Sequence, residues 1–257
     1  MQKYKKVLLT GASGQLGTAI LKEGARGYFL TPGIDVLDIT RYSSIEEYFN
    51  KHKFNAIIHC AALARMTKCE KYPITAIETN IKGTANLVMA VISKETRLKR
   101  PLRFIQISTD GVYPGAKGNY SEKDETIPYN IYGWTKLGAE CAVHLLKNFC
   151  IIRTSFFNPG KISFDHSATD LYSSKVTIDY LARAIMVLLE SKFIGTINIG
   201  GRRQSDYERY KKFKPSLQPC KGIDISKSIG FNLAKDASLN YGQWKKIERG
   251  LLKTSNG

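Results

Sequence analysis

Tyr132 and Lys136 stand four residues apart in the run Tyr132-Gly133-Trp134-Thr135-Lys136. If the run begins a helix, both side chains share one face. An ammonium close to a phenol stabilises phenolate and lowers the tyrosine pKa. A phenol tuned in this way can act as a general acid toward a carbonyl, and Lys136 can also hydrogen-bond a nicotinamide ribose. The same spacing describes an ordinary surface pair; position after a cofactor-type turn and ahead of an apolar strand favours the chemical reading.

That turn is Gly11-Ala12-Ser13-Gly14-Gln15-Leu16-Gly17. It follows an apolar strand and opens a helical pattern. Gly11 permits the tight turn, Gly14 lets backbone approach a phosphate, and Gly17 lets helix and strand pack closely. The helix N-terminus then offers free N–H groups and a favourable dipole to an anion. The turn predicts that Gly11, Ser13, Gly14, Gln15, Leu16 and Gly17 hold a dinucleotide pyrophosphate. The acidic residue that would hold an NAD ribose belongs ~20 residues further on. Thr31-Pro32-Gly33 stands there, so nothing at that place repels a 2′-phosphate. This favours NADPH, with Asp35 nearby leaving NADH open. Asp38 is expected at the adenine with Ile39 beside it; its plainer reading is a turn aspartate.

The frame that must position these groups alternates strands and helices. Strands are expected at 6–10, 28–30, 56–60, 103–108, 151–154 and 196–199. Helices are expected at 15–23, 43–52 (capped by Ser43 or Ser44), 74–94, 134–147 and 178–190. Such alternation predicts an α/β fold, a Rossmann-type doubly wound parallel sheet. Ligands in such sheets sit outside the carboxyl ends of the strands, where the candidate segments 11–17, 61–65, 108–113 and 155–159 fall. Residues 1–151 and 170–200 are expected to form the nucleotide-binding domain, and 152–169 with 201–257 a small substrate region. Beyond Gly201 the chain reads as a Lys-rich, loop-like tail with a helix around 241–252.

Together the glycine turn, Ser108-Thr109-Asp110 and Tyr132/Lys136 resemble the extended short-chain dehydrogenase/reductase family, and within it the dTDP-4-dehydrorhamnose reductase group. Leu37-Asp38-Ile39-Thr40, His59-Cys60-Ala61-Ala62, Lys68-Cys69-Glu70, Thr79-Asn80 and Arg153-Thr154-Ser155-Phe156 add to the likeness, which covers roughly residues 5–200. The resemblance implies hydride transfer from NADPH to the C4 ketone of a nucleotide-linked 4-keto-6-deoxy sugar. It gives Tyr132 the proton, Thr109 a hydrogen bond to the reacting oxygen, and Lys136 the ribose. It places Cys60, Ala61, Ala62, Leu63 and Asn80 at the cofactor, and Asp110 and Phe156 at the sugar. Arg202 reads as a diphosphate ligand or, equally, a solvated turn. Two departures stand out. Gly111 replaces the aromatic residue usual in family reductases and the Glu of related 4,6-dehydratases, and the stretch from Arg153 to the helix at Ile178 is short.

The formal charge is +17, from 39 Lys+Arg against 22 Asp+Glu. Asp206 and Glu208 interrupt the basic, aromatic run at 202–214, which ranks nucleic-acid binding below attraction of phosphorylated ligands. Five scattered cysteines show no metal spacing and suit a reducing cytoplasm. The four histidines form no visible cluster, so no metal is expected. No stretch is apolar for the ~20 residues a bilayer needs, and the basic N-terminus lacks the apolar core of a signal peptide. The sequence therefore reads as an NADPH-dependent nucleotide-sugar 4-ketoreductase, with a homodimer left open. An epimerase or bifunctional epimerase/reductase ranks lower, and a catalytically silent NADP-binding regulatory subunit is the non-enzyme alternative.

Overall fold

The computed structural model describes residues 4–25 and 27–254. Its centre is a six-stranded sheet in the order β10-β5-β4-β3-β1-β2, with every pairing parallel. The chain runs β1 (Val7–Thr10), α1 (Gln15–Glu23), β2 (Phe29–Leu30), α2 (Tyr42–Lys51), β3 (Ala56–His59), α3 (Met66–Lys71) and α4 (Pro73–Ala76). A π-helical stretch, Ile77–Lys82, then leads into α5 (Gly83–Leu98) and β4 (Arg103–Ile107). Next come α6 (Ile131–Val143), β5 (Phe149–Thr154), the short strands β6 (Phe156–Phe157), β7 (His166–Ala168), β8 (Tyr172–Ser173) and β9 (Val176–Thr177), then α7 (Ile178–Glu190) and β10 (Gly195–Ile199). The remainder holds β11 (Gln204–Ser205), α8 (Asp206–Lys211), β12 (Gln218–Cys220), α9 (Gly222–Ile229) and α10 (Gly242–Thr254).

The strands are apolar on both faces because both are covered. Val7, Leu9, Ile58, Ile105, Ile152 and Ile197 pack against α1 and α7. Their neighbours Leu8, Ile57, Phe104 and Ile151 point the other way, onto α2, α5 and α6. Each fully buried Leu or Ile contributes roughly 1.5–3 kcal/mol. The parallel doubly wound sheet is the one read from the alternation.

Several local expectations are corrected. The helix expected at 74–94 is interrupted by the π-helical stretch and preceded by the unforeseen α3. Ser44 does not cap α2: its hydroxyl accepts from the Asp38 N–H at 3.0 Å, and the N-cap, Arg41, makes no side-chain cap. Helix α6 starts at Ile131, three residues early, because Asn130 caps it by accepting from the Gly133 N–H at 2.7 Å. The boundary placed after residue 151 falls inside β5, whose Arg153 and Thr154 pair with β10. The tail is not loop-like. Ser205 starts α8 with a capping box, and Trp244 returns the chain to the main core, 1% exposed, with Nε1 donating to the Tyr180 hydroxyl at 2.8 Å.

Candidate active site

Two cavities open at the carboxyl ends of the strands. The first, about 350 Å³, is lined by Gly11, Ser13 and Gly14 of the turn, by Asp38 and Ile39, and by Cys60, Ala61 and Ala62 after β3. Gly11 sits at φ +70, where a Cβ would lie 2.6 Å from the Ala61 amide nitrogen. A Cβ on Gly17 would overlap the Gly11 carbonyl. Helix α1, which opens directly after the cavity-lining Gly14, has no side-chain cap and no acidic residue in its first turn, so its leading N–H groups carry no side-chain acceptor. This cradle of close-packed glycine backbone and free N–H groups fits a dinucleotide pyrophosphate.

The other residues expected at the cofactor have different places. Gln15 and Leu16 do not line the cavity; Leu16 is buried in the core. Gly17 supports Gly11 from behind. Asn80 is buried and binds the Leu63 backbone in both directions, its Oδ1 accepting at 2.8 Å and its Nδ2 donating at 3.1 Å, and it donates to the Thr135 hydroxyl at 2.9 Å. Neither Leu63 nor Asn80 lines the cavity; Asn80 ties the loop after β3 to α6. Asp38 spends one carboxylate oxygen on the Thr40 amide and hydroxyl and the other on Arg41, which holds its pKa below the usual range. Its turn role is therefore real, although it still borders the cavity. The Asp35 carboxylate folds against Gly33.

The second cavity, also about 350 Å³, gathers Thr109, Asp110, Tyr132 and Phe156. Thr109 stands two residues after the end of β4, and its hydroxyl accepts from the Gly111 N–H at 3.1 Å. A Cβ on Gly133 would collide with the Gly111 carbonyl, so this glycine brings α6 and Tyr132 against the Thr109 loop. A Cβ on Gly111 meets only ordinary contacts, 3.4 Å from the Thr109 hydroxyl oxygen. Burial raises the Asp110 pKa to about 6, against the opposing pull of Lys175 and of hydrogen bonds from Thr109 and Ser155.

The electrostatics of the Tyr132/Lys136 pair correct the sequence reading. Burial, then the Asp110 and Cys69 charges, push the Tyr132 phenol above its ordinary value. Lys136 itself is lowered to about 8 by burial, with Glu140 and Cys60 opposing, and its charge is felt at His59 and Cys60. The i,i+4 spacing sets both residues on α6, and the Lys136 charge bears on the end of β3 rather than on Tyr132.

Arg202 is not brought to either cavity; it lines a separate basin. Three more residues, with no site role in the sequence reading, line the second cavity. Lys175 holds Asp206 through both carboxylate oxygens, at 2.9 and 3.0 Å, and Tyr129 stands beside Asp110. Burial pulls the Lys175 pKa down, but Asp206 outweighs it and keeps the ammonium charged. One lysine among so many, in no motif, carries no mark in the sequence. Among the described residues, no group of three or more His, Cys, Asp or Glu could hold a metal, and no helix is long and apolar enough to cross a membrane.

Residues 5–173 match the model of the RmlD substrate binding domain. The chain belongs to that family. Among curated relatives, mouse methionine adenosyltransferase 2 subunit beta is 32% identical over 151 residues, covering 54% of this chain and 42% of the relative. The dTDP-4-dehydrorhamnose reductase of Streptomyces griseus is 35% identical over 141 residues, covering 53% and 44%. The chain thus spans under half the length of these two relatives. Among solved structures, a dTDP-4-dehydrorhamnose reductase from Clostridium acetobutylicum superposes with a TM-score of 0.82 at 26% identity, covering 98% of this chain and 100% of that one. The Bacillus anthracis reductase in complex with NADP reaches 0.83 at 23% identity, with the same coverage, and shares the fold.

Proposed function

We propose that this RmlD-family chain is an oxidoreductase that uses NADPH to reduce the 4-keto group of a nucleotide-linked 4-keto-6-deoxy sugar. The carrying observation is that Thr109, Asp110, Tyr132 and Phe156 line one cavity while the glycine turn lines another, with Lys136 buried on α6 one turn beyond Tyr132. NADPH held on the glycine turn supplies the hydride to the carbonyl carbon. Tyr132 gives its hydroxyl proton to the carbonyl oxygen, its raised pKa keeping that proton in place until the oxyanion develops. Thr109, whose hydroxyl donates to Asp110 Oδ1 at 3.1 Å, turns that proton to the same oxygen when the sugar binds, and Lys136 binds the ribose. Asp110 and Phe156 face the sugar. The NADP complex of the Bacillus anthracis structure and the lack of a carboxylate at Thr31-Pro32-Gly33 support NADPH. The free cysteines favour a cytoplasmic setting.

The test is NADPH oxidation against dTDP-, GDP-, UDP- and CDP-linked 4-keto-6-deoxy sugars, with turnover of at least one expected. The likeness to the mouse beta subunit favours one second reading, an NADP-binding subunit without turnover. That reading prevails if NADPH raises the melting temperature and no sugar is reduced.

A further inference from the structure

A basic, aromatic basin lies across the β6–β9 ribbon from the sugar cavity. In that ribbon Phe156 pairs with Val176 and Phe157 with Thr177. Successive strand residues point to opposite faces, and accordingly Phe156 lines the sugar cavity while Phe157 lines the basin. The basin, about 460 Å³, gathers Arg202 after β10, Lys212 and Phe213 after α8, and Tyr241 and Lys245 at α10.

Its charge is one-sided. Among the described residues no Asp or Glu lines it and five cationic residues do. The neighbouring carboxylates are already held: Asp206 neutralises Lys175, one of those five cations, Glu208 accepts from the Ser205 amide, and Glu248 accepts from the Tyr180 hydroxyl. Arg202, Lys212 and Lys245 form no salt bridge among the described residues. Arg209, only 4% exposed, gives Nη1 to the Lys175 carbonyl, while its Nε finds no partner among the described residues.

Aromatic surface stands beside these charges. Phe213 is 47% exposed, and Lys245 Nζ lies 4.6 Å from the Tyr241 ring centroid. Cations suit phosphate oxygens, and exposed rings suit the flat face of a base. We infer that this basin binds a nucleoside phosphate, at a site separate from both the cofactor cradle and the sugar cavity. Its phosphates lie among Arg202, Lys212 and Lys245, and its base against Phe213 and Tyr241.

The test is calorimetric titration of NADP-saturated protein with thymidine diphosphate and, separately, with inorganic pyrophosphate. The expected result is a nucleotide-binding step that the double substitution Lys212→Glu/Lys245→Glu weakens by ~10-fold or more. Phe213→Ala weakens that step for thymidine diphosphate and leaves pyrophosphate binding alone. Thymidine diphosphate binding that the double substitution leaves unchanged overturns the site. Equal losses of both probes on Phe213→Ala overturn the nucleoside part of it. A chain that reduces no sugar still shows the step lost with Lys212 and Lys245, so this inference and the proposed reaction fail separately.

Discussion

The Arg153 guanidinium on β5 forks onto the Glu140 carboxylate of α6, Nη2 to Oε2 at 2.7 Å and Nε to Oε1 at 3.1 Å, with both side chains buried. Ser108 also donates to that carboxylate, and Arg153 Nη1 donates to the Tyr113 hydroxyl at 2.9 Å. Glu140 lies one helical turn beyond Lys136 and opposes the fall of its pKa. The pair thus joins the strand that leads to Phe156 to the helix that carries Tyr132 and Lys136. Arg153→Met leaves a buried carboxylate without its cation and is expected to cost about 3–5 kcal/mol in urea unfolding. Glu140→Leu combined with Arg153→Met removes both charges and is expected to cost less than either single change. A double variant less stable than both singles would refute this account of the pair.

Tyr132→Phe keeps the ring and removes the proton. It is expected to lower kcat by at least ~100-fold while leaving the dissociation constant for NADPH, measured by fluorescence titration, within about twofold. The separation follows from geometry: Tyr132 lines the sugar cavity and does not line the cofactor cradle. A matching loss of NADPH affinity would place its role in cofactor binding instead.

Much of this arrangement was legible in the sequence because it rests on short-range rules. The apolar runs of β1, β3, β4 and β5 are buried on two faces and so read as uninterrupted hydrophobic segments. Gly11 and Gly17 were legible because a side chain there would meet backbone. The shape of the sugar cavity was not. Lys175 and Asp206 meet only because β8 pairs with β11, a contact between two-residue strands without a periodic signal. Arg202 sat near a basic run, and its spacing could not tell which face of the β6–β9 ribbon it would take. The family resemblance of Thr79-Asn80 places Asn80 at the cofactor; Thr79 does line the cradle, but the Asn80 amide is turned onto Leu63 and Thr135.

Gly11→Ala tests the cradle. The substitution places a methyl 2.6 Å from the Ala61 amide nitrogen at a φ that disfavours any side chain. The turn must lift away from the loop after β3, and the N–H groups of α1 move with it. NADPH affinity is expected to fall ~10-fold or more and stability by about 1–3 kcal/mol. Gly111→Ala is the control, since its methyl meets only ordinary contacts, and it is expected to leave NADPH affinity unchanged. Equal affinities for Gly11→Ala and the unaltered protein would remove the turn from cofactor binding.

Asp110 supplies a pH dependence with a definite sign. Its folded pKa is raised from 3.8 to about 6, first by burial. The folded state therefore holds the proton more tightly than the unfolded chain does. The resulting stabilisation is fully present below about pH 3.8 and is lost as the pH rises through about 6. At about 1.4 kcal/mol for each pKa unit, the loss between those limits is on the order of 3 kcal/mol. Asp110→Asn removes this titration and leaves the others common to both proteins. The unfolding free energy of the unaltered protein is thus expected to fall relative to Asp110→Asn between pH 4.5 and 7.5, by urea titration at each pH. Lys175→Met, which removes the cation that opposes this shift, should steepen the fall in the Asp110 protein. Parallel pH profiles for the unaltered protein and Asp110→Asn would mean that the carboxyl is not carried neutral into the fold.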